Sequence, residues 1–257
     1  MTRAAAVLLA TALPLAGCRL SPLTNRIAAG EQPFVVFVAA GRAGGADLFA
    51  VGAEGGEAIQ ITFTLAPERA PALDPTGVML GFIRGATQDG GAGYLVVMNL
   101  RNGAERDLAL GGGARHAERV GWSEGDATLY VRAGDSVWRS PAPPAALALE
   151  PLPREHPRRA RADSALGVLL GRPALARAGP CDSLGGRGVC ATLPNGTRQL
   201  LAAEGKDPFR WGADSVAYFL DGQIEVRPLG GGRARRVEWV RPPANPRGAS
   251  YHPGRRP

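Results

Sequence analysis

The chain has 257 residues, is 45% hydrophobic and carries a net charge of +7. That length and apolar content suit one repetitive all-β domain with a sizeable core, and Gly 36 with Pro 22, placed between short apolar runs, favours many tight turns over low complexity. The positive charge is almost wholly arginine (Lys206 is the single lysine) and is scattered without interleaved aromatics, which argues for biased coding and against a nucleic-acid partner.

In chain order, the N-terminus comes first. Arg3 precedes an apolar stretch of 12 residues, positions 4–15. A bilayer-spanning helix needs roughly 20 residues, so the stretch reads as a signal peptide over residues 1–17. Its end, Leu15-Ala16-Gly17-Cys18, resembles the lipobox of bacterial lipoproteins. The resemblance implies that Cys18 becomes a lipidated N-terminus, anchored on the periplasmic side of a membrane, the outer membrane from the Arg19 that follows. Residues 18–32 then read as lipidated cysteine and polar tether, and residues 33–257 as the folded domain.

From residue 34 a phrase recurs: an apolar segment, a tight turn, then an apolar run. Its clearest copy is residues 70–85, APALDPTGVMLGFIRG, with the turn at Asp74-Pro75-Thr76-Gly77. The residues before the five turns, Leu73, Trp122, Ala162, Trp211 and Tyr251, are spaced 49, 40, 49 and 40 apart. A period of about 40–50 with four short strands per unit is that of a propeller blade.

The first unit offers strands at 34–38, 47–51 and 58–62, three where four are needed. The second offers 71–73, 78–83, 94–100 and, after an Asn102-Gly103 hairpin turn, 106–110. The third offers 119–122, 128–132, 136–140 and 146–152. The fourth offers 158–162, 166–170, 188–193 and 198–202. The fifth offers 209–211, 216–220, 223–227 and 234–239. One strand-like piece remains, 249–252. It supplies what the first unit lacks, so the expected fold is an all-β, five-bladed β-propeller closed by the C-terminal strand, with six blades or an incomplete ring as the alternatives. Closure removes exposed sheet edges.

The unit running from residue 34 to 83, with Asp74-Pro75-Thr76-Gly77, Asp47-Leu48, Gly55-Gly56 and Ile61-Thr62, is similar to the TolB-like β-propeller repeat. Residues 95–100 and Trp122-Ser123 also look like family positions. The resemblance spans about residues 33–254, weakens in units three and four, and implies protein or peptide interaction in the bacterial envelope.

Candidate chemistry is sparse. Cys181 and Cys190, nine positions apart around three glycines, suit a structural disulfide in an oxidising compartment. His116, His156 and His252 form no metal motif, and no serine sits in a nucleophile elbow, so neither a metal nor a cofactor is expected. Gly111-Gly112-Gly113 and Gly230-Gly231-Gly232 lack the lysine and helix of a phosphate cradle and read as blade turns. Glu68, Asp74, Asp89 and Glu118 lie near inner strands, where a glycosidase would place a carboxylate pair. Trp122, Trp211 and Tyr251 share one repeat position; they pack between blades or line one mouth of the channel for a ligand. The expectation is a monomeric, non-catalytic, membrane-anchored propeller that binds a protein or peptide. A carbohydrate-binding or glycoside-processing propeller is the alternative.

Overall fold

A computed structural model describes residues 21–42, 44–85, 93–109, 117–124, 126–140, 149–167, 169–170, 176–181, 188–192 and 195–255. Five four-stranded antiparallel sheets form a five-bladed β-propeller. Blade one contains β1 (Phe34–Ala40), β2 (Ala46–Gly52) and β3 (Gly55–Gln60), and its fourth strand is β20 (Arg247–His252). Phe34 pairs with His252 and Val35 with Tyr251, so the end of the chain closes the ring as the sequence predicts.

Blade two contains β4 (Glu68–Leu73), β5 (Met79–Gly85), β6 (Gly93–Asn99) and β7 (Glu105–Ala109). Blade three contains β8 (Arg119–Trp122), β9 (Leu129–Ala133), β10 (Ser136–Ser140) and β11 (Glu150–Leu152). Blade five contains β16 (Lys206–Trp211), β17 (Ser215–Leu220), β18 (Gln223–Pro228) and β19 (Arg235–Val237).

Blade four departs from the expectation. Residues 158–162, expected as its inner strand, belong to the helix α1 (Arg159–Leu166) and its lead-in. The segment RARADSAL is rich in good helix formers and contains no β-branched residue. Its spacing puts Ala162 and Leu166 on one buried face, against Tyr130 and Val137 of blade three. Asp163 on α1 also accepts from Arg132 at 2.6 Å. The inner strand that follows, β12 (Leu169–Leu170), has only two residues, and β13 (Ala176–Pro180) lies within the stretch 171–187 where no strand was expected. β14 (Val189–Thr192) and β15 (Arg198–Ala202) complete the blade.

Strand periodicity builds the core. Successive side chains point to opposite faces of a sheet, so each middle strand serves two neighbours. On β1, Phe34, Val36 and Val38 join Leu80, Phe82 and Val96 of blade two, while Val35, Phe37 and Ala39 join Phe209, Ala217 and Phe219 of blade five. Comparable clusters fill the junctions of blades two with three and four with five, and a third packs blade three against α1. Each fully buried Phe or Leu contributes roughly 1.5–3 kcal/mol, and the ring is held by these wedges between sheets.

The inner strands β4, β8, β16 and β20 end at tight turns on one face, the turn face, at Asp74, Ser123, Gly212 and Pro253. They begin on the opposite, crossover face. Residues 21–32, read from sequence as part of a tether, pack on the turn face: Leu23 is fully buried, and Ile27 and Ala29 share the core between blades one and two.

Candidate functional site

Each of the five inner strands is the end member of its sheet, so one of its edges faces the axis without a strand partner. Four of them, β4, β8, β16 and β20, border a cavity of about 1740 Å³. β4 contributes Ala70–Leu73, β8 contributes Arg119–Trp122, and β16 and β20 contribute Phe209 and Tyr251 among others. At blade four the two-residue β12 leaves Gly179, Pro180 and Gly188 in the lining, together with the C-terminal end of α1.

The rim is polar and of mixed sign. Arg210 on β16 donates to Glu124, in the turn after β8, at 2.9 Å. The pair links blades five and three past blade four, at the turn-face mouth. Glu118, Glu204, Lys206 and Asp207 also line the cavity. Such a surface offers backbone donors and acceptors, both charges, and apolar side chains such as Val120, Trp122 and Tyr251.

The three aromatic candidates do not converge. Trp122 donates its indole N–H to the Ala72 carbonyl at 3.0 Å, wedged between blades two and three. Trp211 and Tyr251 are brought together, stacked 4.1 Å apart at 12°, joining blade five to blade one. Arg235 covers the Trp211 ring at 5.3 Å. Burial pushes the Tyr251 hydroxyl above its usual pKa, with Arg235 opposing and Glu54 reinforcing the shift. Trp122 and Tyr251 also border the cavity.

Cys181 and Cys190 form a disulfide, with Cα atoms 5.1 Å apart, where blade four turns on the crossover face. Cys18, Asp89 and His116 lie outside the described residues. Among the described residues no group of three or more His, Cys, Asp or Glu is placed to hold a metal.

The candidate acids are spread through different tasks. The Asp74 carboxylate ties its own turn, accepting from the Thr76 hydroxyl at 2.6 Å and from the Val78 and Met79 amides at 2.9 and 2.7 Å. Asp126 plays the same part in the next repeat, accepting from Ser123; that bond holds its carboxyl below the usual range. Glu68 is fully buried. It accepts from the Thr62 hydroxyl and from Arg84 at 2.8 Å, and Arg84 in turn forms a two-pronged bond to Glu105 at 2.6 and 2.8 Å. Burial raises the Glu68 pKa; Thr62 and Arg84 oppose this and Asp47 adds to it. Glu118 is the exposed member, at the channel wall.

Sequence reasoning missed the Glu68–Arg84–Glu105 network and the Glu124–Arg210 pair. The first was within reach once strand register was known, because Glu68 and Arg84 sit directly opposite on β4 and β5. The second joins residues 86 positions apart across the mouth and leaves no local signal. His252 was noted only for lacking a metal motif. It is buried, its Nε2 has no hydrogen-bond partner, and its ring lies against Phe34, 5.8 Å between centroids.

No family model matches the chain, and no curated protein matches it in sequence. Solved structures with a similar fold include TolB from Acinetobacter baumannii, 10% identical, with 86% of this chain and 66% of that chain covered and a TM-score of 0.46. A nidogen/laminin complex is 13% identical, with 84% and 80% covered and a TM-score of 0.42. A prolyl endopeptidase is 13% identical, with 84% and 44% covered and a TM-score of 0.38. The chain thus spans just under two thirds of the TolB chain's length.

Proposed function

We propose that this protein is a non-catalytic β-propeller of the bacterial envelope, anchored through lipid on Cys18, that docks a protein or peptide at its central channel. The observation that carries the reading is the channel wall: an opening of about 1740 Å³ bordered by strand edges and a rim of both charges. Strand edges offer backbone hydrogen bonds to an extended chain, and side-chain pockets beside them set specificity. The TolB-like repeat grammar and the lipobox support the same address.

Photo-crosslinking in the native envelope tests it. A crosslinker at Glu118 or Ala203, on the channel wall, is expected to capture a polypeptide, whereas one at Gln199 on the outer strand β15 captures none. Capture from the outer edge alone, or turnover of a glycan by the purified protein, would overturn the proposal.

A further inference from the structure

We infer that the turn face of the propeller is its membrane-apposed face, seated on an anionic phospholipid headgroup surface. The inference rests on the reading of Cys18 as the lipidated residue.

The first support is the length of the leash. Ser21 is held in place: its hydroxyl donates to the Leu100 carbonyl at 2.9 Å, and two residues later Leu23 is fully buried. Three residue steps separate Cys18 from Ser21, which span at most about 11 Å when fully extended. An acyl chain on Cys18 therefore enters the bilayer close beside the folded domain, leaving little room for the domain to stand away from the headgroups.

The second support is where the leash attaches. Its contacts fall on turn-face elements of blades one and two. The Pro33 carbonyl accepts from the Ala53 amide at 3.0 Å, and the Glu31 carbonyl accepts from the Arg255 amide at 3.0 Å. Arg26 pairs with Glu57 at the start of β3. Gly30 lies so close to the Thr76 carbonyl and the Val78 side chain that an added Cβ would come within 2.9 Å of both. The crossover face lies a strand length away, roughly 23 Å for a seven-residue strand such as β1, beyond the reach of the leash.

The third support is charge. Around the attachment point, on blades five, one and two, Arg26 pairs with Glu57 and Arg235 with Glu54; beyond these pairs the exposed Arg101, Arg233 and Arg255 face the exposed acids Glu31 and Asp214. A lipid chain combined with nearby arginines is the two-signal arrangement that anchors stably to an anionic leaflet. The crossover face carries an exposed apolar pair, Phe63 at 65% and Leu65 at 84%. This apolar pair is left facing away from the bilayer.

The test uses the intact, membrane-extracted protein reconstituted in vesicles of phosphatidylethanolamine and phosphatidylglycerol. Single labelling sites are introduced as Glu31→Cys on the turn face and Leu65→Cys on the crossover face, and each probe is exposed to a quencher carried on lipid headgroups. Quenching at position 31 is expected to exceed that at position 65 several-fold. In a chain lacking residues 1–18, binding to the same vesicles is expected to fall with added salt and to drop several-fold in Arg101→Glu/Arg233→Glu/Arg255→Glu. Equal or reversed quenching in a protein whose Cys18 is lipidated overturns the orientation alone. Salt-insensitive vesicle binding overturns the electrostatic part. A mature N-terminal peptide whose Cys18 carries no lipid, read by mass spectrometry, overturns the anchoring reading and this inference with it.

Discussion

Replacing Tyr251 tests whether the last strand closes the ring by packing. Tyr251 lies on β20, pairs with Val35 of β1, and stacks on Trp211 of blade five. A fully buried aromatic cut to Ala costs about 3–5 kcal/mol. Tyr251 is half-buried, so about half of that applies, and loss of the stacked pair adds about 0.5–1.5 kcal/mol. The expected loss in Tyr251→Ala is therefore about 2–4 kcal/mol. For a domain of this size that lowers Tm by about 5–15 °C. Tyr251→Phe keeps the ring and should stay within about 0.5 kcal/mol of the parent. Tyr94→Ala is the control: the same truncation on β6, at a side chain 50% exposed, with an expected cost of about 1.5 kcal/mol, the low end of the same halved burial cost. Urea unfolding of all four proteins, with the m-value monitored to confirm that the transition still spans the whole ring, decides the matter. If Tyr251→Ala loses no more than Tyr94→Ala, closure does not depend on this contact and the reasoning fails.

Gly121→Ala should cost about 1–3 kcal/mol by overpacking, since its Cβ would fall 2.0 Å from the Ala165 carbonyl of α1; an unchanged urea midpoint would show that the helix yields freely. Reducing Cys181–Cys190, separated by nine positions, should remove about 2–3 kcal/mol, read as a fall in Tm on adding dithiothreitol. Burial pushes the His252 imidazole below its usual pKa, against the pull of Asp74. The unfolded chain thus takes up the proton first, and the stability this residue confers is full above the unfolded pKa near 6.5 and lost as pH falls through it. Urea midpoints at pH 7.5 and 5.5 should differ more in the parent than in His252→Gln; equal differences would show that His252 does not drive the loss. Glu68, raised by burial, carries the opposite sign, because its contribution is lost as pH rises through its folded pKa.

The parts of the fold that sequence revealed are those where local chemistry and ring geometry agree. β1 and β17 are dense in β-branched and aromatic residues, β5 is an apolar run, and all three are bounded by Gly, Asp or Pro, so their strands and turns were legible. Blade four was misread because repeat spacing outweighed propensity: Ala160–Ser164 kept the register of the turn but had the composition of a helix. β13, ARAGP, has Gly and Pro and no β-branched residue, and pairing with β14 makes it a strand despite its poor propensity. In residues 21–32, Leu23, Ile27 and Ala29 are too sparse to mark a core segment, yet they cover the blade one–two seam. The channel is a product of strand ends from all five blades, so its size and its Glu124–Arg210 crossing pair had no counterpart in any single stretch.

Ring closure by β20 also fixes an order of events during folding. β1 is the first strand among the described residues, and the amide of Leu73 in blade two donates to the hydroxyl of Ser250, 177 residues later. Until that distant segment arrives, β1 presents a bare inner edge, and a long intervening chain must be gathered before the seam yields any stabilisation. Blades two and five can assemble from neighbours in sequence, while blade one waits. The first of the described strands is therefore in the last sheet to be completed, and the slowest step in acquiring the native state should be the docking of β20. Until then β1 is the exposed edge most open to pairing with another chain.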